Sequence, residues 1–190
     1  GLGNVAQALK DIPRALRHFE QARQAYAACR PPYVNGQILV LNNSANAYTM
    51  RHDTLRGSQR LRQALALTSP ATEPRLTVTV LGGLAECLMQ LGRPDSAQLL
   101  LQRGLQLADS THNLAGQSEM NTRLASVALA RRQPGPARAY AARAVQQARQ
   151  LGRPFLEMQA LESLADAMNA RSVDHWPRYA ATVKSTATMT

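Results

Sequence analysis

The stretch LAECLMQLGRPDSAQLLLQRG, residues 84–104, decides the fold of this 190-residue chain. Two apolar runs at helical spacing flank Gly92-Arg93-Pro94-Asp95, a breaker that ends one helix and opens the next. Proline is tolerated in a first helical turn because the N–H it lacks would have no partner there, and an aspartate beside it can accept from the open amides. After the breaker, Ala97, Leu101 and Gly104 fall on one helical stripe, where small residues let a neighbouring helix approach closely. The stretch therefore reads as a helical hairpin.

The same pattern recurs on either side. The anchors Ala15, Gly57, Ala97 and Ala137 are followed four residues on by Phe19, Leu61, Leu101 and Ala141, and seven on by Ala22, Ala64, Gly104 and Ala144. Twelve residues before each anchor stands another small residue, Gly3, Ala45, Ala85 and Ala125, so the copies are offset by 42, 40 and 40 residues. Breakers equivalent to the first lie at Lys10-Asp11-Ile12-Pro13, His52-Asp53-Thr54 and Gln133-Pro134-Gly135-Pro136, with longer turns around Pro31, Pro70, Asn113 and Pro154. Leu164-Ala165 opens a fifth, degraded copy, in which Asp174 and Pro177 signal a last helix carrying Trp176, Tyr179, Ala180 and Val183. The expected fold is all-α: a right-handed α-solenoid of about five antiparallel helix pairs in one domain, residues 1–184. The copies are expected at 1–30, 34–69, 74–109, 114–151 and 154–184, followed by a frayed tail, 185–190.

Composition agrees. Ala, Leu, Gln and Arg dominate and aromatic residues make up 4%, which disfavours all-β and α/β folds. The 22 Lys and Arg against 12 Asp and Glu give a net charge of +10, and its placement matters. The expected first helices carry Glu86, Glu119, Glu157, Glu162 and Asp166, whereas Arg14, Arg17, Arg56, Arg60, Arg103 and Arg138 fall on second helices and their turns. The excess reads as a solvated outer face. Nucleic acid is disfavoured as a partner, since aromatics that could stack on bases are scarce.

Cys29 and Cys87 lie in apolar helical contexts without metal-ligand spacing, and both are expected to be small buried core residues. The histidines, His18, His52, His112 and His175, fall in different copies and pair with no nucleophile or carboxylate at useful spacing. Gly82-Gly83 lies inside a helix, a close-packing point and not a phosphate loop. The reading is of a chain that is not an enzyme and has no cofactor or metal. No apolar run reaches the roughly 18 residues that cross a bilayer, and no leader opens the sequence, so no membrane association and a cytoplasmic location are expected.

At Leu2-Gly3, Ala15, Phe19 and Ala22, again at Leu84-Ala85, Leu91-Gly92, Ala97, Leu101 and Gly104, and at Leu124-Ala125, Ala137 and Ala144, the sequence resembles the tetratricopeptide repeat family. The period of about 40 is longer than that family's roughly 34 and resembles the longer-helix subgroup of bacterial regulators and signalling proteins. The signature tryptophan is absent from every copy. Because Leu2-Gly3 sits well inside the first helix of such a repeat, preceding turns are expected in a longer protein.

The resemblance implies a protein- or peptide-binding scaffold whose first helices line a concave face. An asparagine after the small residue, here Asn4 and Asn46 with Asn42 one turn earlier, would hydrogen-bond the backbone of an extended peptide, since an amide both donates and accepts. The implied face comprises Asn4, Asn42, Asn46, Thr49, Glu86, Glu119, Ser126, Glu162 and Asp166, turning acidic toward the C-terminal copies. The basic clamp that grips a terminal carboxylate in this family is not reproduced. A homodimer through the helix bearing Trp176 and Tyr179 is a further expectation. The alternative reading is a sensing module, for a ligand or signal peptide, within a larger bacterial transcription regulator or sensor kinase.

Overall fold

A computed structural model describes Gly3, Asn4 and residues 11–170. The described residues are helical throughout apart from short turns, with eight helices and no strand. These are α1 (Ile12–Ala28), α2 (Val34–Met50), α3 (Thr54–Leu67), α4 (Pro74–Gln90), α5 (Pro94–Ser110), α6 (Leu114–Ala130), α7 (Pro134–Leu151) and α8 (Pro154–Asn169). The all-α expectation holds. Gly3 and Asn4 are helical. Trp176, Tyr179, Ala180 and Val183, with the tail 185–190, lie outside the described residues.

The even-numbered helices begin at Val34, Pro74, Leu114 and Pro154, a constant step of forty residues. Helix starts in both series are built by local capping chemistry. Asp11, Asp53 and Asn113 each accept a hydrogen bond from a backbone N–H three residues on, at 3.2, 3.2 and 3.1 Å. Proline stands in the first turn of α1, α5, α7 and α8.

The helix ends are equally regular. Asp53 N–H donates to Tyr48 O at 3.0 Å, Arg93 to Leu88 at 2.8 Å and Gln133 to Ala128 at 2.8 Å, while the residue before each donates three positions back. This double closure requires a left-handed residue, and His52, Gly92 and Arg132 supply it with φ of 61°, 70° and 58°. His112 and Gly152 do the same one helix later, with φ of 49° and 60°. Only glycine adopts this region without steric cost. Arg132→Gly is therefore expected to stabilise the protein by about 0.5–1 kcal/mol, read as a higher denaturant midpoint at unchanged slope; a lower midpoint would show that the Arg132 side chain contributes more than the turn costs.

The chain forms two compact units, residues 1–87 and 88–190. In the first, Ile12, Ala15 and Phe19 of α1 pack on Val40 and Ala47 of α2. Small residues set the spacing between the other helices: a Cβ on Gly57 of α3 would stand 3.0 Å from the Thr49 methyl and 3.2 Å from Ala45 O, and one on Gly83 of α4 would stand 3.2 Å from Leu61. In the second unit Ala128, Ala137 and Ala167 join α6, α7 and α8, and Ala144, Val145 and Ala160 join α7 to α8. Arg131 reaches from the end of α6 to Asp95 at 3.4 Å and to Gln98, both on α5.

The cysteine expectation needs one correction. Cys87 is buried, but Cys29, the residue that ends α1, is exposed, and its Sγ–H donates back to Ala25 O.

Candidate peptide-binding surface

Helix α2 carries no charged side chain across its 17 residues. Leu39, Asn43, Asn46 and Met50, spaced four, three and four apart, form one stripe on it, and Leu39 and Met50 are about half exposed, at 45% and 50%. A helix this apolar and uncharged on a solvent-facing stripe is unusual for a surface that only meets water.

Beside that stripe lies a cavity of about 430 Å³, walled by Phe19 and Tyr26 of α1, by Tyr33, Leu39, Val40 and Asn43 on and before α2, and by Gly3 and Asn4. The sequence shapes it through glycine. A Cβ on Gly36 would lie 2.5 Å from the Tyr33 ring and 2.7 Å from the Tyr26 ring, and one on Gly3 would lie 2.5 Å from Phe19. Without side chains at these two points the aromatic rings can stand close to the backbone. Tyr26 and Tyr33 meet edge to face, with centroids 5.3 Å apart and planes at 76°, and Tyr33 N–H donates to Tyr26 O at 3.0 Å. At the polar edge Asn43 Nδ2 donates to Asn4 Oδ1 at 3.1 Å. An amide has two donor hydrogens and two acceptor lone pairs, so this bond uses only part of what each side chain offers.

The residues expected on the binding face fall in different settings. Asn4 and Asn46 are exposed, and Asn4 borders the cavity. Asn42 is half-buried, with Oδ1 3.6 Å from where a Cβ on Gly83 would be. Thr49 turns its methyl toward Gly57 and donates its hydroxyl to Asn46 O at 2.9 Å. Glu86 is half-buried; burial, with the Glu86 charge added, pushes the Cys87 thiol up to about 11, so that thiol stays protonated at neutral pH.

In the second unit, Glu119 is ion-paired with Arg123 at 2.6 Å, and Ser126 is exposed. Glu162 and Asp166 are exposed on α8. Sequence reasoning missed Asn43, Tyr26, Tyr33 and Leu39. Their signal was present: Asn43 is in helical register with Asn46, and Tyr33-x-x-Gly36 follows the Pro31-Pro32 turn. Among the described residues no group of His, Cys, Asp and Glu is placed to hold a metal, and no helix is long and apolar enough to cross a membrane.

No family model and no curated protein matches the sequence. Solved structures do match. BtubC (BKLC) from P. vanneervenii aligns at a TM-score of 0.72 and 14% identity, over 93% of this chain and 80% of that one. A Podosopora anserina putative kinesin light chain with nearly identical TPR-like repeats aligns at 0.68 and 18%, over 98% and 90%. Aspartyl phosphate phosphatase F from Bacillus subtilis aligns at 0.76 and 10%, over 97% of this chain but 48% of its own length. The fold of this chain is thus that of the tetratricopeptide-like helical repeats.

Proposed function

We propose that this chain is a non-catalytic scaffold that binds an extended segment of another polypeptide along α2. The observation that carries this reading is the aromatic-walled cavity bordered by Asn4 and Asn43, beside an exposed stripe without charge. An apolar cavity of this size takes a bulky side chain, and the amides at its rim suit the polar backbone on either side of it. A sensing module of a longer regulator would use the same surface, its output lying in a further domain.

Fluorescence titration against an array of extended peptides tests the reading. Peptides with a large apolar residue are expected to bind, and Asn43→Ala or Gly36→Leu to weaken them about tenfold, a change of about 1.4 kcal/mol. Binding should change little with salt, because the α2 surface is uncharged. Affinity equal to the parent's in all three of Asn43→Ala, Asn46→Ala and Gly36→Leu would remove α2 from the function.

A further inference from the structure

A second cleft, of about 260 Å³, shares no residue with the tyrosine cavity. Tyr48 of α2 lines it together with Arg56, Gln59, Arg60 and Gln63, which are spaced three, one and three apart and so fall on one face of α3. Every one of these five side chains carries an N–H or O–H donor. Two guanidinium groups one helical turn apart also repel each other, a cost that an anion between them would remove.

The carboxylates nearby do not saturate them. Asp53 stands 3.3 Å from Arg56, whose side chain is 67% exposed. Glu20 of α1 stands 3.7 Å from Arg60 but only 2.6 Å from Arg23. The hydrogen bond from Arg23 is the main reason the Glu20 carboxyl is held below the usual range, with the charges of Arg23 and Arg60 adding to it. Glu20 is therefore committed chiefly to Arg23. Three guanidinium groups share two carboxylates, leaving one positive charge in surplus.

We propose that this cleft binds a phosphate monoester or phosphate dianion, with Arg56 and Arg60 as charged donors and Gln59, Gln63 and Tyr48 as neutral ones. A carboxylate brings a single charge and two oxygens, and would only replace what Asp53 and Glu20 already supply. A phosphoryl group brings close to two charges and three acceptor oxygens, more than a carboxylate offers, so it can engage both guanidinium groups and the neutral donors at once. The site is independent of the peptide surface on α2.

Calorimetric titration of the full chain at low ionic strength tests this, using a phosphoserine peptide, its unphosphorylated twin and inorganic phosphate as probes. Phosphate-bearing probes are expected to bind and the twin not to bind, with Arg56→Gln and Arg60→Gln each weakening binding about tenfold or more. Tighter binding of the phosphopeptide than of inorganic phosphate identifies a modified chain as the source of the group; equal affinity identifies the free anion. Arg103→Gln, exposed on α5, is the control and should bind as the parent does. The proposal is overturned if neither phosphate probe binds, or if Arg103→Gln loses as much affinity as Arg56→Gln, which would mean diffuse attraction to a basic protein. Circular dichroism guards against misfolding of Arg60→Gln, and the exposed Arg56 keeps the test decisive if that variant is damaged.

Discussion

Leu61→Ala should lower the stability of the protein by about 3 kcal/mol. Leu61 is 1% exposed on α3, and its two methyl groups lie over Gly83 of α4, 3.2 and 3.4 Å from where a Cβ would stand. Truncation therefore removes buried methyl groups at a place where the facing residue has no side chain to move into the gap, so both the transfer loss and the cavity cost are felt. Leu99→Ala is the comparison. Leu99 is 69% exposed on α5, and its truncation should change stability by less than about 0.5 kcal/mol. Urea unfolding of both variants measures the difference, and near-equal losses would contradict the packing of α3 on α4.

The second substitution should raise stability. Positions 41, 81 and 161 are leucine, but the equivalent position on α6 is Asn121, which is 1% exposed. Its Nδ2 donates to Gln147 Oε1 at 2.9 Å, while its Oδ1 has no hydrogen-bond partner. A buried acceptor without a partner costs about 1–3 kcal/mol. Gln147 likewise stands where the two preceding copies have Leu67 and Leu107, and its Nε2 donates to Gln117 at 3.1 Å. Replacing one member alone strands the other. The double variant Asn121→Leu, Gln147→Leu removes both polar groups and is expected to gain about 2 kcal/mol. Asn121→Leu alone should gain less, because Gln147 is only half-buried and can turn to water. A destabilised double variant would mean that the amide chain pins α6 to α7 more strongly than leucine packing can.

The hairpins were legible because their signals are local. Asp11, Asp53, Asn113 and the four prolines act on the turn in which they stand, so helix starts follow from sequence alone. Small residues also announced the helix contacts at Gly57 and Gly83, since a close approach leaves no alternative to glycine or alanine. What a surface faces is not local. Asn42 and Asn43 are neighbours with the same chemistry, yet one meets Gly83 and the other the Asn4 amide, and only the position of the next helix decides which. Exposure is subject to the same limit. Ile38, Val78 and Ser118 are buried, while Met158, at the equivalent place on α8, is 48% exposed. Cys29 was misread for that reason too, since apolar neighbours in sequence do not say whether a helix end is covered.

The turns at residues 52, 92, 112, 132 and 152 are occupied by histidine, glycine and arginine, yet all adopt one handedness. Five of the seven turns between the described helices thus close with the same main-chain geometry whichever residue stands there, while those after α1 and α3 end in an extended residue, Cys29 and Thr68. At those five corners the chain can lose recognisable letters while keeping the dihedral setting that turns one helix into the next.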